Sequence, residues 1–230
     1  NARSMCRGRL DLDVWCEDLV AILDAENCNS AIVVGHSLGA QIALHLAASH
    51  PQRVRALALI DPIVRKALLG RPRRLRRMEP LVKIAILILR MLNRLGLKRR
   101  RFPQMDLEVL DTRTREAMRG DHPQEFLVRR YSGMRLILEH MPIANYLQQL
   151  VASISPLPRL ERIAIPTLVL ESTGVGVMNR ATSRTELARL PVLERVEINA
   201  THWPLTERPD EVRRAIESWV ERLEQARCHR

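Results

Sequence analysis

The residue types best suited to covalent chemistry lie at Gly35-His36-Ser37-Leu38-Gly39, inside the stretch IVVGHSLGAQIALHL at 32–46. An apolar run precedes the serine, helical spacing follows it, and a glycine stands two residues to either side. A nucleophile on a sharp strand-to-helix turn needs small neighbours there. Its own backbone is strained, and side chains at 35 and 39 are expected to collide with strand and helix. Such a turn also aims a helix N-terminus at the group under attack, so the Leu38 N–H is the expected oxyanion donor. Serine is a poor nucleophile unless a base takes its proton. Of seven histidines, His36, His45 and His50 lie in or just after the turn and its helix. His122 and His140 fall in the middle of the chain and His229 in the tail. Only His202, in A-T-H-W-P-L, follows a late strand and precedes the last helix, and it is the candidate base.

These groups need elements to carry them. Residues 11–24 place Leu12, Trp15, Leu19 and Ile22 on one helical face. The spacing predicts a strand over 31–34, a helix over 40–49 and a second apolar strand, VRALALI, over 54–60, which Asp61-Pro62 ends. After Pro166 a third strand covers 167–170, a fourth covers 194–198, and a closing amphipathic helix covers 209–223. Strands alternating with helices predict an α/β fold, a mainly parallel sheet flanked by helices. Between residues 64 and 160 no strand pattern is visible, so the expected organisation is a core of 1–63 and 161–230 with a helical insertion of 64–160.

Charge sets that insertion apart. Fourteen Lys/Arg and one acid, Glu79, fall between Arg65 and Arg101, giving this segment +13 while the whole chain carries +11. The four cysteines form no CxxC pair and have no zinc spacing, so they read as reduced thiols in a cytoplasmic protein rather than a disulfide framework. The longest apolar run, Ile84 to Leu89, is far short of the ~20 residues that a membrane-spanning helix requires. Neither a metal nor an organic cofactor is expected.

The segments IVVGHSLGA (32–40), LALIDP (57–62), IPTLVL (165–170) and THWPLTERPDEV (201–212) resemble the α/β-hydrolase family. The resemblance implies a serine nucleophile at Ser37, a base at His202 and a variable helical cap at 64–160. It places Thr201 where the family usually has glycine. It also implies an acid on a G-x-x-D turn after the third strand, but Ser172 and Val175 stand at those two places. Two substitutes remain open: Asp61, 24 residues beyond Ser37 at a strand end from which some members supply their acid, and Glu171, at the end of the third strand. A third possibility is no acid at all. The family's second oxyanion donor comes from a loop preceding the strand at 31–34, and none is visible here. Arg7-Gly8-Arg9 resembles the end of a segment that normally precedes the first helix. The expectation is therefore a fold lacking its N-terminal strands, either a piece of a longer product or a decayed relative. Such a sheet would expose an edge and a face and tend to self-associate.

Two functions compete at this point. One is a serine hydrolase acting on an ester or related acyl bond of a small-molecule substrate through an acyl-enzyme; serine rather than aspartate at the turn argues against dehalogenase or epoxide-hydrolase chemistry. The other is a catalytically impaired relative that binds an anionic ligand or membrane surface through its basic lid. Residues 78–97, apolar with Lys83, Arg90 and Arg94 interspersed, fit either a cap over an acyl substrate or peripheral contact of residues 65–101 with an anionic membrane. Only 3% of residues are aromatic, which leaves little for base stacking and argues against nucleic acid.

Overall fold

Four apolar runs bounded by turn residues become four parallel strands in the computed structural model, which describes residues 9–97, 102–103, 106–118, 126, 138–174, 176 and 178–228. They are β1 (Ala31–His36), β2 (Val54–Ile60), β3 (Thr167–Ser172) and β4 (Leu193–Ile198), in the spatial order β1-β2-β3-β4. The helices are α1 (Leu12–Ala25), α2 (Leu38–Ser49), α3 (Gly70–Arg94), α4 (Leu107–Met118), α5 (Ile143–Ser153), α6 (Arg180–Leu187), the short α7 (Pro204–Glu207) and α8 (Pro209–Cys228). Arg7, Gly8, residues 98–101, His122, Val175 and His229, all named above, lie outside the described residues, as does Cys6, one of the four cysteines.

Alternation along β2 explains the layering. Leu57 and Leu59 join Cys16 of α1, Leu44 of α2 and Leu187 of α6 on one face of the sheet. Ala56, Ala58 and Ile60 join Val212 and Trp219 of α8 on the other. Burying each such leucine contributes about 1.5–3 kcal/mol. With both faces covered, β2 reads from Ala56 to Ile60 as an unbroken apolar run rather than an alternating one. β4 is half open and carries Glu194, Arg195 and Glu197. Val34 of β1 is 52% exposed.

Local chemistry sets the helix ends. The Asp11 side chain caps α1, accepting from the Val14 N–H at 3.0 Å, and Asn179 caps α6 through the Thr182 N–H at 2.9 Å. Pro209, Asp210 and Glu211 open α8, where a missing N–H and negative charge are both favourable. The buried side of α1 differs from expectation: Leu12 and Cys16 are buried and Leu19 and Val20 pack behind them, while Ile22 is 56% exposed. Burial pushes the Cys16 thiol up to about 11.

Two compact units divide the chain: one comprises Asp11–Arg76 and Ala152–Arg230, the other the remainder. The first holds the whole sheet, and Val64, Ala67 and Leu160 belong to its core. In the second, the Leu10 N–H donates to Gln148 Oε1 of α5 at 2.9 Å.

Register decides what the sheet presents. His36 pairs with Ile60, Ile60 with Leu170, and Ser172 with Ile198. The C-terminal ends of β1 and β2 are therefore level, those of β3 and β4 run two residues further, and the residues that follow them, Ser37, Asp61, Thr173 and Asn199, emerge along one edge.

Candidate active site

Ser37 occupies the single position between β1 and α2, with φ 54° and ψ −111°. A positive φ is costly for a residue with a Cβ and persists only where the surroundings enforce it. Here the Ser37 N–H donates to the Ile60 carbonyl at 3.0 Å. The serine's own carbonyl accepts from the Ala40 and Gln41 N–H groups at 3.2 and 3.3 Å. The two flanking glycines differ in role. A Cβ on Gly35 would stand 2.4 Å from the Gly39 carbonyl oxygen and 2.7 Å from the Ala40 nitrogen, whereas one on Gly39 would meet nothing within 4 Å. The expected collision at both positions is corrected to one at Gly35 alone. Gly35 faces the tightening turn, and Gly39 lies in the first turn of α2.

Asp61 follows β2 directly and also has a positive φ, 43°. Its N–H donates to the Leu170 carbonyl at 2.9 Å, and its Oδ1 accepts from the Ser172 N–H at 2.8 Å. The outer oxygen, Oδ2, is left 3.5 Å from His202 Nδ1. His202 reaches this place on the loop after β4, and its Nε2 lies 2.9 Å from Ser37 Oγ. The imidazole thus stands between hydroxyl and carboxylate, one ring nitrogen toward each, with both its side chain and that of Asp61 largely sheltered. This arrangement can take a proton from the serine at Nε2 and stabilise the resulting imidazolium through Nδ1–H. Leu38 is the first residue of α2, where backbone N–H groups are free to meet an oxyanion.

Glu171 is drawn elsewhere. Its Oε2 accepts from Arg184 Nε at 2.7 Å, and its Oε1 lies 3.8 Å from Arg195 Nε. Arg184 also pairs with Glu197, which closes an ion cluster beside β3 and β4. Among the described residues, the structure brings together Ser37, His202 and Asp61 and leaves Glu171 committed to arginines. A cavity of about 50 Å³ touches Asp61, Ser172, Gly174 and His202.

Three supports of the histidine loop lay beyond sequence reasoning. His36 Nε2 hydrogen-bonds the His202 carbonyl at 2.8 Å, the two rings 5.1 Å apart. Glu207 accepts from the Thr201 N–H at 3.0 Å and from the Thr201 hydroxyl. The Gly174 N–H donates to the Ala200 carbonyl at 2.9 Å, and a Cβ on Gly174 would stand 2.7 Å from that oxygen. Residue spacing carries no signal for these contacts, although Glu207 opens the E-R-P-D-E-V stretch noted above.

Burial holds the His36 imidazole below its ordinary value of 6.5, and His45, hydrogen-bonded to the Pro156 carbonyl at 3.3 Å, is lowered for the same reason. The unfolded chain then binds more protons than the folded one as pH falls through about 6.5, so stability is lost on acidification in that window. The expected result is a urea midpoint that drops between about pH 7.5 and pH 5.5, with a shallower slope in the His36→Gln/His45→Gln double variant. A midpoint that rises over this range contradicts the burial argument.

A strained serine turn at the carboxyl edge of a parallel sheet, with a histidine and an acid supplied by later strand ends, defines a nucleophile-type α/β fold. The alpha/beta hydrolase family pattern matches residues 4–215, and the chain belongs to that family. The lipase LipV of Mycobacterium tuberculosis is 45% identical over 53 residues, which are 23% of this chain and 20% of the lipase. A 2-hydroxymuconate semialdehyde hydrolase of a Pseudomonas strain is 50% identical over 48 residues, 21% of this chain and 17% of that enzyme. The matches to these curated relatives thus span about a fifth of their length. A thermophilic esterase from Thermogutta terrifontis superposes with a TM-score of 0.60 at 18% identity, covering 93% of this chain and 73% of that one. At that identity it speaks for the fold alone.

Proposed function

We propose that the protein is a serine hydrolase acting on an ester or related acyl bond of a small molecule. The observation that carries this reading is the Ser37 Oγ placed 2.9 Å from His202 Nε2, with Asp61 behind the ring. Ser37 Oγ attacks the carbonyl carbon while its proton passes to His202 Nε2. The new imidazolium lies beside the Asp61 carboxylate, and the oxyanion turns toward the Leu38 N–H. Collapse expels the alcohol, which takes the proton from His202 and leaves an acyl-serine. Water then attacks the acyl carbon as His202 removes its proton, releasing the acid and restoring Ser37.

The helical segment 64–160 is proposed as a cap insertion, with 1–63 and 161–230 as the core that bears the reacting groups; Val64, Ala67 and Leu160 at the two ends of the insertion pack with that core. An impaired, purely binding protein is the weaker reading, because an acid does stand beside His202.

A fluorophosphonate probe tests the assignment on the full chain. Covalent labelling that maps to Ser37 and disappears in Ser37→Ala is the expected result. A folded protein that fails to label overturns the reading.

A further inference from the structure

We propose that the outward face of α3 docks the protein on an anionic lipid surface. Successive helical residues turn by about 100°, so Leu81, Ile84, Leu87, Ile88 and Met91 share a sector of about 120°. All five are exposed, at 63, 54, 63, 50 and 58%. They form an apolar strip ~15 Å long, and Leu95 and Leu97 extend it beyond the helix at 71 and 69% exposure. The opposite side of α3 holds buried Ile86, so the helix has apolar side chains on a packed side and on an open one. An open apolar strip of this extent marks an interaction surface.

Charge identifies the occupant. By the same turn angle Lys83 and Arg94 flank the apolar strip, and exposed Arg73, Arg74 and Arg77 precede it on the same helix, on the N-terminal side of Pro80. The whole of α3 carries one acid, Glu79, and that acid lies 2.7 Å from Lys83. A second copy laid on this face would meet the same excess of cations. A nucleic acid would satisfy the guanidiniums and leave five apolar side chains in water. An anionic bilayer satisfies both halves: headgroup phosphates accept from the arginines, and the apolar strip enters the acyl boundary. No helix among the described residues is long and apolar enough to cross a membrane, so the contact is with the surface. This inference goes beyond the hydrolase reading and does not rest on it, because binding is read without turnover.

Flotation of the full chain with phosphatidylcholine vesicles, with and without about 30% phosphatidylglycerol, tests it. The expected result is recovery with the anionic vesicles only, weakened by added salt. Replacing Arg73, Arg74 and Arg77 by Gln lowers the partition coefficient roughly 100-fold. Replacing Ile84, Leu87 and Ile88 by Gln lowers it at least about 10-fold. The replaced side chains are all exposed, and an unchanged thermal midpoint together with an unchanged far-UV circular dichroism spectrum identifies folded variants. Wild-type protein that stays with the lipid-free fraction overturns the proposal, as does equal binding to neutral vesicles. Concentration-dependent association that the Ile84, Leu87 and Ile88 replacements abolish, without vesicle binding, assigns the face to a second copy and also overturns it.

Discussion

Asp61→Asn lowers kcat/KM for a soluble ester about 10,000-fold at neutral pH, while Glu171→Gln leaves it within about threefold of wild type. The two acids follow or end adjacent strands and differ in what they face. Asp61 Oδ1 is pinned by the Ser172 N–H, which leaves Oδ2 directed at His202 Nδ1. An asparagine in the same place keeps the shape and can keep the Ser172 hydrogen bond through its amide oxygen. Its NH₂ group then donates to Nδ1, which drives the proton onto Nε2, and Nε2 can no longer accept from Ser37. The loss therefore appears in kcat, with the fold intact by circular dichroism and urea melting. Glu171 is held by Arg184 and Arg195, so its neutral analogue loosens an ion cluster without touching the imidazole. Wild-type turnover in Asp61→Asn would remove Asp61 from the site. A large loss confined to Glu171→Gln would transfer the role.

Gly35→Ala is the most damaging single methyl group that the elbow offers. The added carbon would stand 2.4 Å from the Gly39 carbonyl oxygen and 2.5 Å from its carbon. Both are backbone atoms, so no rotamer change relieves the overlap, and the turn between β1 and α2 must open. The expected cost exceeds about 4 kcal/mol, in the range that leaves a marginally stable domain unfolded. The measurement is soluble yield and urea midpoint, with Gly39→Ala as the matched control. Position 39 is open, and alanine in a helix is favoured over glycine by up to ~1 kcal/mol, so the control melts at or above wild type. Equal midpoints for the two variants would show that the turn relaxes at little cost.

The contrast between these glycines shows how far a motif reads. The G-x-S-x-G spacing is symmetric about Ser37, and so is the steric expectation drawn from it. The folded turn is not symmetric, because β1 enters extended and α2 leaves helical. The strands were legible for a simpler reason. Runs such as VRALALI must be buried on both faces, and the turn residues around them leave no other place to end. The buried side of α1 was less legible, since Ile22 and Cys16 both fit an amphipathic pattern and only packing on α2 separates them.

The sequence by itself determined the parallel α/β architecture, set Ser37 on a strand-to-helix turn and singled out His202 among seven histidines as the candidate base. Each of these follows from local periodicity, residue size or order along the chain. Only the tertiary structure shows which of Asp61 and Glu171 stands beside His202. The parallel register sets Ile60 beside Leu170, so the two acids leave the sheet at nearly the same height. The positive φ at Asp61 turns its carboxylate over the edge toward the histidine loop. Glu171, still within β3, keeps the alternation of a strand and pairs with arginines from α6 and β4. Which of two acids meets a histidine 141 or 31 residues away depends on strand register and on one backbone angle, and spacing along the chain encodes neither.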